Sequence, residues 1–123
     1  MGTTCTAAIV HRGQLFYGHI GDSRLYLLQG GSFASVTEDH SLVNQLVQSG
    51  AITPDQAARH EQKNVLTRVL GMKSSGVAAD FSNQPIPLSA GDALVLATDG
   101  LHGVVSTEEI GELVATQSPY QAC

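Results

Sequence analysis

The sequence has little charge, and little of that charge is basic. Charged residues make up 14% of the 123 residues, and six Lys or Arg stand against eleven Asp or Glu. The basic residues do not cluster, so the chain has no electrostatic footprint for nucleic acid or for an anionic membrane surface. Because 42% of the residues are hydrophobic, the low charge favours one folded domain over a disordered segment.

Long apolar runs and spaced cysteines are also missing. No run is long enough to span a bilayer. The N-terminus, MGTTCTAAIV, has no basic stretch before its apolar part and so does not resemble a signal peptide. Cys5 and Cys123 have neither metal-ligand nor redox spacing. These absences predict a cytoplasmic protein without a membrane segment.

Runs of β-forming residues separated by glycine-containing turns predict an antiparallel meander in the first third of the chain. The runs are residues 4–10, 15–20, 25–28 and 33–36. Residues 77–88 are expected to be extended, and Pro85 and Pro87 suit an edge strand. The unbroken apolar run from 93 to 97 is typical of a strand buried on both faces.

The middle of the chain changes to a helical period. Apolar residues at 42, 43, 46 and 47 share one face of a helix that Ser41 can cap and Gly50 can end. Thr53, Pro54 and Gln56 predict the start of a second helix with a capping box. Few apolar residues follow, so this helix is expected to lie on the surface.

A third helix is predicted near the C-terminus. Ser106 and Glu109 have the spacing of another capping box. The stripe expected to be buried consists of Ile110, Leu113 and Val114.

Two segments place an aspartate beside a glycine at the end of an apolar strand. Asp22 lies in residues 20–24 (IGDSR), and Asp99 lies in residues 96–100 (LATDG). A strand end holds a carboxylate rigidly at an open edge, and Mg²⁺ and Mn²⁺ prefer oxygen ligands. If the two strands are neighbours, Asp22 and Asp99 could share a divalent ion. The alternative for each is an ordinary turn, because Asp and Gly both tolerate the backbone angles of turns.

Five short motifs in a fixed order carry a family resemblance. They are residues 1–4 (MGTT), 21–24 (GDSR), 37–41 (TEDHS), 66–71 (LTRVLG) and 98–101 (TDGL). With these motifs the chain resembles the bacterial branch of the PPM-type (metal-dependent, type 2C) serine/threonine protein phosphatases, over nearly its whole length. The family's catalytic domain is about twice as long, so the resemblance implies a domain truncated at both ends.

The resemblance implies an α+β fold, a partial αββα sandwich of antiparallel sheets with flanking helices and a helical flap insert at about residues 39–71. It also implies hydrolysis of phosphoserine or phosphothreonine in proteins by water activated on two or three Mn²⁺ or Mg²⁺ ions. The implied partners are a phosphoprotein substrate and a Ser/Thr kinase pathway.

Individual residues acquire expected roles from the same resemblance. Asp99 matches the aspartate of the principal metal pair, and Asp22 matches the aspartate that holds the third ion. Arg24 could assist phosphate binding, with a structural pairing to a nearby acid as its alternative. His102, next to Asp99, is the one histidine placed to approach a metal or donate a proton. The other expected flap or substrate residues are His40, Thr67 and Arg68.

The sequence departs from the family where the metal site is completed. Three family features are absent from these 123 residues: the phosphate-gripping Arg, the Asp-Gly-x-Gly-Gly segment whose aspartate bridges the two main metals, and the later Gly-x-x-Asp-Asn segment. A paired-metal centre needs a bridging ligand. We therefore expect the chain alone to bind metal poorly and to have little phosphatase activity.

The sequence is compatible with two alternative functions. One is a non-catalytic phosphatase-like module that binds a phosphoprotein or a regulatory partner, and the other is a generic cation-binding β domain. Bare sheet edges would also favour a dimer or a strand swap.

Overall fold

The chain folds around two antiparallel sheets, which a computed structural model describes over residues 1–73 and 78–123. One sheet has the order β1-β2-β5 with β6 also paired to β2, and the other has the order β4-β3-β7. The elements are β1 (Cys5–His11), β2 (Gln14–Ile20), β3 (Arg24–Gln29), β4 (Ser32–Ser35), α1 (Leu42–Gln48), α2 (Pro54–Ala58), β5 (Asp80–Phe81), β6 (Ile86–Pro87), β7 (Ala93–Ala97), α3 (Asp99–His102), α4 (Thr107–Thr116) and α5 (Pro119–Ala122). The predicted α+β fold of antiparallel sheets with flanking helices is confirmed.

A tight hairpin sets the register of the first sheet. β1 and β2 pair from Cys5 with Ile20 to His11 with Gln14. The two residues between them, Arg12 and Gly13, have φ angles of 50° and 72°. Positive φ at both positions gives the turn a twist that matches the twist of the strands. Among the described residues, β1 has no strand neighbour other than β2 in its sheet, so its outer edge is unpaired.

β3 supplies the centre of the second sheet. Leu25 and Tyr26 are both 0% exposed, and because successive residues of a strand face opposite ways, β3 is covered on both faces. On one face Tyr26 stacks on Phe33 of β4, with ring centroids 5.1 Å apart. Gly111 of α4 lies against the Phe33 ring, and a Cβ at position 111 would come within 2.9 Å of that ring. Helix α4 therefore packs closely on the outer face of this sheet.

The predicted helix ends form as expected. Ser41 accepts a hydrogen bond from the Asn44 amide, and Gly50 follows the last turn of α1 with φ 77°. Helix α2 has no buried residue, in agreement with its predicted surface position. Both predicted capping boxes are present: Thr53 with Gln56 and Ser106 with Glu109. No described helix combines the length and hydropathy that a bilayer crossing requires.

Two predictions about burial are wrong. The strand β7 is not buried on both faces, because Leu96 is 55% exposed. In the stripe predicted for α4, Ile110 is buried but Leu113 is 41% exposed. An apolar pattern shows which faces can be buried, but burial depends on a covering layer, which the described residues do not supply over these faces.

The extended segment predicted at 77–88 is only partly regular. It contains the two short strands β5 and β6, and Pro87 lies in β6 where it pairs with Gln14 at one end of β2. The start of the segment, Val77, lies outside the described residues.

Candidate functional site

Asp22 and Asp99 lie at the same edge of the second sheet, the one at which β3 begins and β7 ends. β3 and β7 are antiparallel neighbours, and Arg24 at the start of β3 pairs with Ala97 at the end of β7. Asp22 comes shortly before β3, and Asp99 begins α3 shortly after β7. The condition that the sequence left open, that the two strands are neighbours, is therefore met.

The Asp99 carboxylate disfavours charge on Asp22. Asp22 is half-buried, and burial raises the pKa of its carboxyl; the carboxylates of Asp99 and Asp39 raise this pKa further. Asp99 is exposed at the start of α3. A divalent cation between such groups would relieve their repulsion. The electrostatics of this edge therefore suit cation binding.

The donor set fits a hard divalent cation only in part. Carboxylate oxygens are the ligands that Mg²⁺ and Mn²⁺ prefer, and Mg²⁺ keeps several waters when few protein ligands are present. Within residues 1–73 and 78–123, no group of three or more His, Cys, Asp or Glu side chains is arranged to hold a metal ion. Asp22 and Asp99 thus fit a weak, largely hydrated cation site or one part of a larger site.

The turn that carries Asp22 requires a glycine. Gly21 has φ 109°, and a Cβ at this position would collide with the side chain of Thr4. The Thr4 and Ser23 hydroxyl oxygens are 2.9 Å apart and hydrogen-bonded. The start of the chain therefore packs against both sides of Asp22, and the position of its main chain is strongly determined.

His102 lies against the main chain of Asp22. Its Nε2 is 2.8 Å from the Asp22 carbonyl oxygen. A carbonyl oxygen only accepts, so this nitrogen carries the hydrogen and donates. The bond leaves Nδ1 as the ring nitrogen available for the metal contact that the sequence suggested, whereas proton donation from Nδ1 would require a ring that is protonated on both nitrogens.

Arg24 is paired with an acid. Its Nε and Nη2 donate to the two carboxylate oxygens of Asp39 at 2.8 and 2.7 Å, and Nη1 donates to the Tyr26 hydroxyl at 3.3 Å. The hydrogen bonds to Asp39 raise the pKa of Arg24, so the guanidinium stays charged. The structure therefore places Arg24 in the second of the two roles expected for it, as the partner of a nearby acid.

His40 lies beneath the Asp22 turn and is only 6% exposed. Its Nδ1 accepts a hydrogen bond from the Gly21 amide at 3.1 Å, and its own amide donates to the Gly21 carbonyl at 2.8 Å. On the other side of the ring, Nε2 lies 2.8 Å from a carboxylate oxygen of Asp80. The sequence predicts His40 as a flap residue. In the structure its hydrogen bonds to Gly21 also connect it to the turn that carries Asp22.

Thr67 and Arg68 lie next to His40. The Thr67 amide donates to the His40 carbonyl at 2.8 Å, and Arg68 Nη1 donates to Asp80 at 3.1 Å. The Thr67 hydroxyl is buried and has no hydrogen-bond partner within the described part of the chain. Both residues therefore brace the segment that carries His40.

Two residues that contact His40 were not predicted from the sequence to belong to the site: Asp80 and His19. Asp80 binds His40 across 40 positions of sequence, and no local pattern marks it. His19 is 2% exposed, and its ring lies 4.8 Å from the His40 ring. Its Nε2 donates to the Glu38 carbonyl at 2.9 Å, and its Nδ1 is 2.9 Å from the Thr6 hydroxyl. A histidine between apolar residues on a strand was the only available signal.

A family model and several known proteins match nearly the whole chain. A family model described as Protein phosphatase 2C matches residues 1–121. The chain is 40% identical to the protein phosphatase PhpP of Streptococcus pneumoniae over 119 residues, which are 97% of this chain and 47% of PhpP. It is 38% identical to the serine/threonine phosphatase Stp of Listeria monocytogenes over 117 residues, covering 95% of this chain and 45% of Stp.

Solved structures agree with this assignment. The Mycobacterium tuberculosis serine/threonine phosphatase PstP/Ppp superposes with a TM-score of 0.88 and 36% identity, covering 99% of this chain and 50% of that one. A catalytic domain of PstP in complex with two manganese ions superposes with a TM-score of 0.82 and 34% identity, covering 99% and 49%. The chain thus spans about half the length of the relatives it matches. On these matches, and with the fold and motif order agreeing, the chain belongs to the protein phosphatase 2C family.

Proposed function

We propose that this chain forms the part of a protein phosphatase 2C catalytic domain that carries Asp22 and Asp99 as metal ligands. The complete domain would hydrolyse phosphoserine or phosphothreonine in proteins with Mn²⁺ or Mg²⁺, opposing a Ser/Thr kinase in the cytoplasm. The observation that carries the proposal is the position of Asp22 and Asp99 at one sheet edge, in a chain whose relatives are Ser/Thr phosphatases.

The chain's contribution to the reaction is to hold and orient charge. Metal ions bound at this edge would supply an activated water and neutralise charge on the phosphoryl group. Asp22 suits the task because the Gly21 turn and the hydrogen bond from His102 determine its position before any ligand binds. Its half-buried setting also strengthens attraction to a cation relative to a fully solvated carboxylate.

We place the flap within residues 39–71. The ends of this segment are anchored to the sheets: His40 bonds Gly21, and Leu70 exchanges two main-chain hydrogen bonds with Thr3, at 3.0 and 2.9 Å. Between these anchors, α1 and α2 contain no buried residue. A segment anchored at its ends with exposed helices between them suits a cover over a site.

Alone, the chain is expected to bind metal weakly and to hydrolyse little substrate. Two carboxylates do not supply the bridging ligand of a paired-metal centre. Robust Mn²⁺-dependent hydrolysis of a phosphothreonine peptide by this polypeptide would contradict that expectation.

Paramagnetic broadening of amide NMR signals by Mn²⁺ tests the metal site directly, since it detects weak binding. We expect the signals near Asp22 and Asp99 to broaden first, and Asp22→Asn or Asp99→Asn to reduce the effect. Asp55→Asn, at the start of the exposed helix α2, is the matched control and is expected to behave as the parent. Equal broadening in the parent and in Asp99→Asn would mean that Asp99 is not a ligand.

A second candidate function is a non-catalytic module that binds a phosphoprotein or a regulatory partner. It is favoured by the incomplete set of metal ligands in the described residues. Fluorescence anisotropy with a labelled phosphothreonine peptide distinguishes the two functions. Binding that survives EDTA and the Asp99→Asn change would support the module, whereas binding that needs Mn²⁺ would support the phosphatase.

A further inference from the structure

We propose that His40 and Asp80 form a positioning pair for Asp22. In this pair, Asp80 determines which ring nitrogen of His40 carries the hydrogen, and the His40 ring in turn holds the amide of Gly21, the residue before Asp22. The consequence for metal binding rests on the proposed function, but the tautomer of His40 can be tested without it.

The main chain of Gly21 is held by His40 on both of its polar groups. The Gly21 amide donates to His40 Nδ1 at 3.1 Å, and the Gly21 carbonyl accepts from the His40 amide at 2.8 Å. One buried residue therefore satisfies both groups and limits rotation of the adjoining peptide planes. Asp22 follows directly, so a shift at Gly21 would displace the Asp22 carboxylate.

This arrangement requires one tautomer of His40. The Gly21 amide can only donate, so Nδ1 must be unprotonated, and the hydrogen of the neutral ring must lie on Nε2. Nε2 then donates to Asp80 Oδ2 at 2.8 Å. The same hydrogen bond lowers the pKa of Asp80, so the acceptor remains a carboxylate.

Arg68 makes the role of Asp80 specific. Its Nη1 lies 3.4 Å from His40 Nε2 and 3.1 Å from Asp80 Oδ1. A guanidinium only donates, so in the tautomer described above its contact with Nε2 is not a hydrogen bond. Asp80 accepts from both donors, with Oδ2 bound to His40 Nε2 and Oδ1 bound to Arg68 Nη1. Without the carboxylate, Arg68 could donate to Nε2 and so favour hydrogen on Nδ1, where it would face the donating Gly21 amide.

Nitrogen-15 NMR of the His40 ring tests this step. We expect Nδ1 to be unprotonated and Nε2 protonated in the parent and in Asp80→Asn, which keeps an acceptor oxygen. Asp80→Ala is expected to move the hydrogen towards Nδ1, and the double change Asp80→Ala with Arg68→Met is expected to move it back. A parent protonated at Nδ1, or an Asp80→Ala variant with an unchanged tautomer, would overturn the proposal.

Mn²⁺ titration tests the consequence for Asp22. We expect His40→Ala and Asp80→Ala to weaken Mn²⁺ binding by about tenfold, the lower end of the effect of residues that orient metal ligands. His40→Asn keeps an acceptor near the position of Nδ1 and is expected to restore most of the affinity. His11→Ala, at the exposed end of β1, is the matched control and should bind as the parent does.

The outcomes separate the two proposals. If His40→Ala loses its fold, Asp80→Ala decides, because Asp80 is partly exposed and lies on the side of the His40 ring away from Gly21. Unchanged Mn²⁺ affinity in Asp80→Ala would refute the positioning pair. If the parent itself shows no Mn²⁺ binding, the metal site fails, and the tautomer measurement alone decides whether Asp80 orients His40.

Discussion

Nε2 of His102 donates a hydrogen bond to the main-chain carbonyl of Asp22 at 2.8 Å. Since α3 runs from Asp99 to His102, this bond ties the helix that begins with one aspartate to the turn that holds the other. The pairing of β3 with β7 brings the Asp22 turn and the start of α3 together, and the hydrogen bond from His102 holds them in place.

Removing the hydrogen bond between His102 and Asp22 should destabilise the fold. We expect His102→Ala to lower the free energy of unfolding by about 1 kcal/mol, the usual net contribution of one hydrogen bond. His102→Gln can keep a donor near the position of Nε2 and should recover part of the loss. Urea unfolding measures both variants, and equal destabilisation by Ala and Gln would show that the hydrogen bond contributes nothing.

In the absence of metal, Asp22 should be a cost to stability. Because burial and the neighbouring Asp99 raise the pKa of Asp22, its stabilising contribution is present only at acidic pH and is lost as pH rises through the folded pKa. At neutral pH we therefore expect Asp22→Asn to raise the free energy of unfolding by about 0.5 kcal/mol in EDTA. Asp55→Asn is the control, since Asp55 lies on an exposed helix start where loss of charge should be neutral or slightly destabilising. A destabilised Asp22→Asn protein in EDTA would contradict the prediction.

Stability should fall on mild acidification because of His19. Burial lowers the pKa of His19 from its ordinary value of 6.5; the hydrogen bond to the Glu38 carbonyl and the Asp80 and Asp39 carboxylates oppose this shift, and His40 adds to it. The unfolded chain therefore binds a proton before the folded chain does, and stability is lost as pH falls below about 6.5. Asp80, whose pKa is lowered chiefly by the hydrogen bond from His40, adds a separate loss as pH falls below 3.8.

The variant His19→Gln tests the first of these two windows. It can keep a donor to the Glu38 carbonyl but has no titrating ring. Urea unfolding between about pH 7.5 and 5.5 should show a smaller pH dependence for the variant than for the parent. An identical slope in both proteins would assign the dependence to another group.

The outer edge of β1, which is unpaired within residues 1–73 and 78–123, should promote self-association. Ile9 and Val10 are 66% and 57% exposed, and β1 carries no Lys, Arg, Asp or Glu that would discourage edge pairing. We propose that two copies associate along this edge, and expect Ile9→Lys to weaken the association. Val104→Lys, at a position 82% exposed outside the sheets, should leave it unchanged. Light scattering across a concentration series measures the effect, and a parent that stays monomeric would refute the proposal.

The sequence by itself determined the features whose partners lie within a few positions. The capping boxes at Thr53 and Ser106 and the hairpin turn at Gly13 are local arrangements, so their residue types suffice to predict them. The order of short motifs likewise predicted the family and, through it, the α+β fold. Asp22 and Asp99 could be named as candidates because each stands at a strand end.

Only the tertiary structure decided which of these pieces meet. The pairing of β3 with β7 brings Asp22 and Asp99 to one edge, and the link from His40 to Asp80 spans 40 positions without any local pattern. Burial of Leu96 was predicted wrongly for the same reason: an apolar residue can be buried only where another layer covers it. Such contacts depend on packing between distant segments, which a local pattern does not encode.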